Sequence, residues 1–407
     1  MQTQIDSEFK TTLAGQRAEE ILRSCVHCGF CTATCPTYQL LGDELDSPRG
    51  RIYLIKQMLE GNEVTDSTQQ HLDRCLSCRS CETTCPSGVE YSHLLEIGRE
   101  LVDEKVGRPL FSTLQRSLLK MLLPYPKRFS TALKIGRFFK PLLPASLKKS
   151  IPDIKGNIRW NNCAQLRRMI ILNGCVQPSL SPQINAAASR VLNRLGIELI
   201  NQPLAQCCGA VNQHMNDAAT ATVFIKQNID AWYPLLASKQ AEAIIITASG
   251  CGAMVKEYEY LLRNDPDYAE KASVISSACK DISEVIEKQD LSKLNIKTDK
   301  TISFHSPCTL QHAQKLNGVV ENILSSAGFQ LKVINDSHLC CGSAGTYSIL
   351  QPEISQQLKV NKLKSLQQQN PDIIATANIG CLHHLAADSE TEVIHWIQLL
   401  DQEDSYK

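Results

Sequence analysis

The sequence lacks any apolar run near the roughly 18 residues that a membrane-spanning helix needs. It also lacks a basic and then apolar leader, because its first residues are polar and acidic. Net charge is absent as well, since 42 Lys and Arg balance 42 Asp and Glu. These absences argue against an integral membrane protein and against a uniformly basic nucleic-acid binder. We therefore expect a cytoplasmic protein that contacts a membrane, if at all, from its surface.

Two catalytic fingerprints are missing too. No G-x-G-x-x-G follows a strand, and there is no nucleophile elbow. A two-electron oxidation of an organic molecule needs a hydride acceptor. We expect no flavin or NAD in this chain, and any such oxidation would take place on a partner.

Cysteine is the residue in excess, with 18 among 407 residues. A chain of this length suits two or three domains. Eight cysteines lie in residues 1–105, none in 106–152, and ten in 163–381. In a reducing compartment disulfides are rare, so clustered cysteines indicate metal binding or redox chemistry.

The first eight cysteines form two copies of the run C-x2-C-x2-C-x3-C-P. This run is typical of bacterial two-cluster ferredoxins, in which the fourth cysteine serves the other cluster. Structural zinc prefers two well-separated pairs and fits the spacing poorly. The sequence therefore predicts two [4Fe–4S] clusters, the first on Cys25, Cys28, Cys31 and Cys85 and the second on Cys75, Cys78, Cys81 and Cys35.

Four cations lie near these runs, namely Arg49, Arg51, Lys56 and Arg79. They either raise the cluster potentials by offsetting thiolate charge or are ordinary solvated side chains. The second interpretation is the simpler one.

Residues 106–152 carry ten Lys or Arg and no Asp or Glu, with apolar residues and prolines between them. The pattern predicts short basic amphipathic helices. Such a segment either docks on an anionic membrane surface or packs as a linker on the rest of the chain.

The remainder is an internal repeat of the kind that marks duplicated domains. In each copy a strand-like run leads to a cysteine, 31 residues separate that cysteine from a Cys-Cys-Gly triplet, and a second strand leads to a final cysteine. The cysteines of the two copies are Cys175, Cys207, Cys208 and Cys251, then Cys308, Cys340, Cys341 and Cys381. Strands that alternate with helices suit small α/β sheets with their sites at the carboxyl edge.

The predicted fold class is therefore α+β overall. A mostly α-helical two-cluster ferredoxin domain (1–105) precedes a basic amphipathic linker (106–165). Two repeated small α/β Cys-Cys-Gly domains follow, at 166–290 and 300–403.

Four segments resemble the iron–sulfur subunits of bacterial glycolate oxidase, and the resemblance covers nearly the whole chain. These segments are 25–57, 247–253, 308–318 and 337–347. The resemblance implies an FAD-binding partner that oxidises glycolate, and also D-lactate, to the 2-oxo acid, with a second flavoprotein-like subunit present. This chain, not itself catalytic, would pass the electrons to a quinone-type acceptor as a peripheral protein at the cytoplasmic face of the inner membrane.

Other family members keep alternatives open. The equivalent subunits of lactate and anaerobic glycerol-3-phosphate dehydrogenases share this organisation, and heterodisulfide reductase subunits share the Cys-Cys-Gly part. A thiol–disulfide reductase that uses the Cys-Cys-Gly repeats is the alternative from a different class.

In the heterodisulfide reductase relatives the Cys-Cys-Gly motif ends in C-x2-C and holds iron–sulfur clusters. Here Met254 and His384 stand where the last cysteine belongs. The resemblance thus implies a possible third cluster on Cys308, Cys340, Cys341 and Cys381 with His384, and a counterpart on Cys175, Cys207, Cys208 and Cys251. The alternative is that these cysteines are buried small apolar residues.

Overall fold

The computed structural model of the chain describes residues 1–140, 158–161 and 163–401. Residues 141–152 of the predicted basic segment lie outside the described residues. The described chain divides into two compact units. The first comprises Met1–Ser117 with His338–Lys362, and the second comprises Leu118–Ser337 with Leu363–Lys407.

The first unit is built from helices. The helix Pro48–Leu59 begins where the Ser47 side chain accepts a hydrogen bond from the Gly50 N–H, with Pro48 at its first position. Its apolar face packs Ile55 against Leu22 and Leu94 in a buried core. The α-helices of this unit are Ser7–Lys10, Leu13–Ser24, Pro36–Leu41, Pro48–Leu59, Asp66–Asp73, Ser80–Thr84, Tyr91–Val106 and Tyr347–Leu350.

The second unit contains two parallel four-stranded sheets. The strands are β1 (Arg167–Ile171), β2 (Ile197–Asn201), β3 (Ile244–Ile246), β4 (Cys279–Asp281), β5 (Thr301–His305), β6 (Gln330–Leu331), β7 (Ile373–Thr376) and β8 (Glu392–His395). The strand order is β2-β1-β3-β4 in one sheet and β6-β5-β7-β8 in the other. The two sheets therefore repeat one topology, which is the structural counterpart of the sequence repeat.

Helices connect these strands. They are Gln177–Leu180, Pro182–Arg194, Ala210–Gln213, Ala218–Ala237, Ser249–Lys256, Tyr258–Leu261, Ala269–Ala278, Ile282–Ile286, Val319–Ser326, Ile379–Ala386 and Trp396–Leu399, and Pro352–Gln367 crosses from one unit into the other. Parallel strands need long crossover connections, and these helices supply them.

Alternate residues of the first sheet enter different cores. Met169 and Ile171 face a core that also contains Ile302 and Phe304 of the second repeat. Ile170 faces a separate core that holds the Cys-Cys-Gly cysteines of the first repeat. Because side chains alternate along a strand, the first sheet places one face on the other repeat and one face on its own cysteines.

Buried polar contacts also join the two repeats. The His395 Nε2 lies 2.9 Å from the Thr247 carbonyl oxygen, and burial lowers the pKa of His395 to about 4. The Arg190 Nε donates to Asp401 Oδ2 at 2.9 Å, with both side chains almost fully buried. These contacts specify how the repeats pair, because each buried polar group needs its partner.

The basic segment contains the helices Leu110–Leu122 and Pro126–Phe138, which are separated at Pro124. Several of its large apolar side chains are exposed, among them Leu110, Phe111 and Phe138. None of the helices in the described ranges is both long and apolar enough to cross a bilayer.

The predicted fold class is confirmed: helices precede two repeated α/β sheets. The sequence pattern also predicts single helices over 213–230 and 309–327, and the structure differs from both in detail. Residues 213–230 are two helices rather than one, since Asp217 caps a new helix at Ala218. Residues 309–327 are a π-helical turn, Thr309–Ala313, and the helix Val319–Ser326, with Gly318 in the left-handed region (φ 81°) between them.

Candidate metal centres

The two cysteine runs of the first unit share one backbone pattern. In the first loop His27 and Gly29 flank Cys28 with φ of 55° and 86°. In the second loop Ser77 and Arg79 flank Cys78 with φ of 52° and 61°. Alternating left-handed residues turn each loop tightly, so that its cysteines face inward together.

The first set of thiols surrounds a cavity. The cavity has a volume of about 430 Å³, part of it open to solvent. Its lining includes Cys25, Cys28, Cys31 and Cys85 together with Val26, Phe30, Pro86 and Tyr91. Cys28 is exposed, so this site opens to the surface at one edge. The structure therefore brings Cys85, from the second run, to the loop of the first run.

The second set is more enclosed. Cys75, Cys78, Cys81 and Cys35 are all buried. The Cys75 sulfur accepts hydrogen bonds from the Ser77 N–H at 3.4 Å and from the Tyr91 hydroxyl at 3.6 Å. The Cys35 sulfur lies 3.3 Å from Thr37 Oγ1. Hydrogen bonds to ligand sulfurs stabilise negative charge on the site.

The thiol pKa values fit a site that needs a strong cation. Burial, followed by the charge of Cys25, raises the pKa of Cys31 to about 11. Burial also raises the pKa of Cys25, and the charges of Cys85 and Cys28 raise it further. Burial raises the pKa of Cys81 well above the usual thiol value. Without metal, these three thiols would thus be protonated at neutral pH, and iron must displace their protons to bind. All 18 cysteines are free thiols, so every one of the eight can serve as a ligand.

Arg51 was expected to be a solvated charge, and that expectation is wrong. Its side chain is fully buried. It donates to the His71 carbonyl oxygen at 2.7 Å, to Thr37 Oγ1 at 3.1 Å and to Asp46 Oδ1 at 3.2 Å. Burial opposes its charge, but the negative charges that Cys75, Tyr91, Cys35 and Asp46 carry when ionised outweigh burial and raise its pKa.

Arg49, two residues earlier, is in the opposite environment. Its side chain is 36% exposed and pairs with Glu44 at 2.8 Å. It lies against Gly29, where a Cβ would come 2.9 Å from Arg49 Nη1. This guanidinium belongs to the solvent-open side of the first cysteine loop.

The first Cys-Cys-Gly set lies at the carboxyl edge of the first sheet, in the second unit. Cys175 follows β1, the Cys207–Cys208 pair follows β2, and Cys251 is in the first turn of the helix after β3. The Cys175 thiol lies next to that of Cys207, Cys207 lies next to Cys208, and Cys208 lies next to Cys251. The Cys207 thiol and burial raise the pKa of Cys175 well above the usual thiol value. The Cys207 thiol lowers the pKa of Cys208, but the Cys251 thiol and burial outweigh it and raise that pKa well above the usual value.

The second Cys-Cys-Gly set is divided by the chain's two units. Cys308 and Cys381 belong to the second unit, where the Asn378 amide donates to the Cys381 sulfur at 3.7 Å. Cys340 and Cys341 belong to the first unit, where the Gly342 N–H donates to the Cys340 sulfur at 3.4 Å.

Two histidines near Cys381 have different surroundings. His384, the ligand candidate from the sequence, is half-buried, and its neighbour His383 has Nε2 3.0 Å from Ser181 Oγ. Sequence reasoning missed His305, at the end of β5, which has a ring nitrogen within 4.8 Å of the Cys381 sulfur. The available signal was its position three residues before Cys308, where the first repeat has Leu172.

Comparison with known proteins identifies the same regions. Residues 21–89 match the family model of a 4Fe-4S dicluster domain, and residues 169–256 and 302–386 each match the Cysteine-rich domain model. The chain therefore carries iron–sulfur clusters, in agreement with the prediction from the cysteine runs.

Whole-chain relatives have the same organisation. The chain is 52% identical to the glycolate oxidase iron-sulfur subunit of Escherichia coli (strain K12), over 99% of each chain. It is 30% identical to the probable glycolate oxidase iron-sulfur subunit of Bacillus subtilis (strain 168), over 96% of this chain and 93% of that one. It is 25% identical to a dihydromethanophenazine:CoB--CoM heterodisulfide reductase subunit from Methanosarcina acetivorans, over 89% of this chain and 88% of that one.

Proposed function

The chain belongs to the family of glycolate oxidase iron–sulfur subunits, and from that premise we propose that it relays electrons within a glycolate-oxidising complex. An FAD-binding partner would oxidise glycolate to glyoxylate, and a second flavoprotein-like subunit would complete the complex. This chain would accept the electrons singly and pass them to a quinone-type acceptor. Substrate choice, including any use of D-lactate, would rest with the flavin-binding partner.

The observation that carries this proposal is the arrangement of eight thiols in the first unit. The assigned ligands are Cys25, Cys28, Cys31 and Cys85 for one cluster, and Cys75, Cys78, Cys81 and Cys35 for the other. Support comes from the cavity that the first four line and from the enclosed second four. A [4Fe–4S] cluster carries one electron at a time, which lets a two-electron donor serve a chain of single-electron steps. The protein's part is to hold the two sites close together and to leave one open at Cys28.

The test uses the complex purified with its flavin-containing partner. Cys28→Ala and Cys78→Ala should abolish glycolate-dependent reduction of an artificial acceptor, while glycolate still bleaches the flavin. Cys163→Ala is the matched control, because that thiol is exposed and outside both sets. Loss of flavin reduction in the two variants would show that these residues do more than relay electrons, and an unchanged acceptor rate would refute the ligand assignment.

We further propose that the Cys-Cys-Gly repeats hold additional iron. For the first repeat, support comes from the contiguous sulfurs of Cys175, Cys207, Cys208 and Cys251. For the second repeat, support comes from Tyr347 of the first unit, which lies near both Cys75 of the second cluster set and Cys340. Burial raises the pKa of Tyr347, and the charges of Cys75 and Cys340 raise it further. Its hydroxyl also donates to the Arg74 carbonyl oxygen at 2.9 Å. Within the first unit, the Cys340–Cys341 pair thus lies near the second cysteine loop.

Iron and acid-labile sulfide analysis tests this part. More than about eight of each per chain would support additional clusters, since two [4Fe–4S] clusters account for about eight. Cys208→Ala should then lower the iron content, and Cys279→Ala, a buried thiol outside the repeat motif, should not. About eight of each in fully loaded protein would refute the proposal.

The basic segment is proposed to contact an anionic membrane surface, which would place the protein at the cytoplasmic face of the inner membrane. Support comes from the cations of 106–140 and the exposed apolar side chains of its two helices, such as Phe111 and Phe138. In a liposome flotation assay the chain should bind vesicles with anionic lipid and release them at high salt. Equal binding to neutral vesicles would refute the electrostatic mechanism.

A further inference from the structure

Two guanidinium groups on one helix lie beside the two cysteine sets in contrasting surroundings. Arg51 is fully buried beside the second set, whereas Arg49 is partly exposed beside the first. A charge in a low-dielectric interior acts several times more strongly than the same charge near water, because water screens the second. The two sites therefore differ in the burial of the neighbouring cation, which is complete for Arg51 and partial for Arg49.

Positive charge is in excess around the second set, because three guanidinium groups lie there with one carboxylate, while the Glu82 carboxylate near Cys81 is balanced by Arg79 at 2.7 Å. Arg51 and Arg74 both pair with the single carboxylate of Asp46, at 3.2 and 2.9 Å. Arg99 adds a third guanidinium, whose Nη2 donates to the Cys75 carbonyl oxygen at 2.7 Å. Two of these three cations are almost completely shielded from solvent, Arg51 at 0% and Arg99 at 9% exposure.

Around the first set the side-chain charges largely cancel. Arg49 pairs with Glu44, and both side chains are at least a third exposed. The Met1 amino group donates to the Cys25 carbonyl oxygen at 2.7 Å, in a part-buried position near exposed backbone. Counter-charge and solvent both weaken the influence of these groups on the site.

Arg51 also reaches one ligand sulfur of the second set indirectly, through a hydroxyl group. Its Nη1 donates to Thr37 Oγ1, and that hydroxyl oxygen is 3.3 Å from the Cys35 sulfur. One side chain thus connects a buried positive charge to a ligand of the second set through a single hydroxyl group.

We propose that Arg51 makes the second site the more easily reduced of the two, and so sets the direction in which electrons move through the chain. An electron that enters at the first site, open at Cys28, would pass inward, so that the cluster held by the first four thiols would be oxidised by one electron and the cluster held by the second four would be reduced by one. Arg51 neither takes up nor releases a proton in this step, because its guanidinium stays charged throughout. Arg51 acts as a positioning residue, since it touches neither substrate nor iron, and the inference rests on the ligand sets proposed above.

The test is a redox titration of the loaded chain followed by electron paramagnetic resonance. Wild-type protein should show two one-electron transitions with the second site reduced first. Arg51→Gln should lower the reduction potential of the second site by about 59 mV. For a one-electron couple this equals about a tenfold loss in the equilibrium constant that favours the electron at the second site. Arg51→Lys keeps the charge and should retain most of the preference. Arg49→Gln, the matched control on the same helix, should leave the second-site potential unchanged.

Asp46→Asn supplies a change of opposite sign. Removal of the carboxylate leaves Arg51 and Arg74 unopposed, so the second-site potential should rise where Arg51→Gln lowers it. If Arg51→Gln does not assemble its clusters, Arg74→Gln at the more exposed edge gives a smaller lowering. Shifts of one sign in both the Asp46 and arginine variants, or no shift in any, would overturn the inference. Uptake of two electrons at one potential in wild-type protein would also overturn the inference, whereas uptake of only one electron would refute the ligand sets on which it rests.

Discussion

Removal of the buried negative charge of Asp281 should stabilise the second unit. Its side chain is 1% exposed and caps the helix Ile282–Ile286, and it accepts hydrogen bonds from the Ser283 N–H at 3.0 Å and the Ser283 hydroxyl at 2.7 Å. The other carboxylate oxygen has no hydrogen-bond partner in the described ranges of the chain. Burial raises the pKa of this carboxyl to about 6.

The magnitude follows from that pKa. An ordinary aspartate pKa is 3.8, and each pH unit between 3.8 and about 6 corresponds to 1.36 kcal/mol, so the ionised carboxylate costs about 3 kcal/mol at pH 7. The raised pKa favours the protonated form in the folded state, so the cost is absent below pH 3.8 and complete above pH 6. Asp281→Asn removes the charge and keeps a capping oxygen, but buries an extra N–H. We expect a net gain of about 1–2 kcal/mol at pH 7.

The assay is urea denaturation of the second unit, monitored by tryptophan fluorescence through the buried Trp232 and Trp396. At pH 5 the wild-type carboxyl is largely protonated and its cost falls from about 3 to about 1.6 kcal/mol, so the net gain should decrease by about 1.4 kcal/mol and largely disappear. Asp290→Asn is the matched control, because Asp290 makes the same two bonds to Ser292 (3.1 and 2.6 Å) but is exposed. A gain that is independent of pH, or an equal gain in the control, would refute the reasoning.

Two further predictions concern the cysteine loops and their surroundings. The metal-free chain should lose stability as pH rises above about 9, because burial raises the pKa of Cys31 to about 11 while unfolded thiols ionise near their usual value. Loaded protein should not, since iron already holds the thiolates, and equal urea midpoints for the two forms at pH 9.5 would contradict this. Gly342→Ala should destabilise the first unit by about 2–4 kcal/mol, because φ is +88° and a Cβ would lie 2.5 Å from the Ser355 carbonyl oxygen. Gly345→Ala, with φ +64° and open space around it, should cost only about 1 kcal/mol in the same thermal unfolding measurement.

Local patterns predicted the strands that lead to Cys175, Cys251, Cys308 and Cys381. A short run of consecutive apolar residues, such as 169–172, is typical of a buried strand. Local patterns did not predict β2, β4, β6 or β8, which are short or carry charges such as Glu198, Lys280 and Glu392. Such strands depend on a paired neighbour for their stability. Only the assembled sheet reveals them.

The same limit applies to the candidate sites. The cysteine spacing is local, so the runs are recognisable from the sequence alone. The burial of Arg51 depends on Asp46 and on the His71 carbonyl, 20 residues further on. One signal was present: Arg51 shares a helical face with Ile55 and Met58, where an ordinary solvated arginine does not belong.

The crossed placement of Cys35 and Cys85 has a consequence for synthesis on the ribosome. With the proposed ligand sets, a nascent chain that has emerged as far as Cys35 still lacks a complete set for either cluster. The second set is completed when Cys81 emerges, and the first only when Cys85 follows. Assembly factors would therefore meet the two sites together and late, after both loops have been translated, and a chain truncated between the runs would leave the ribosome with no complete set.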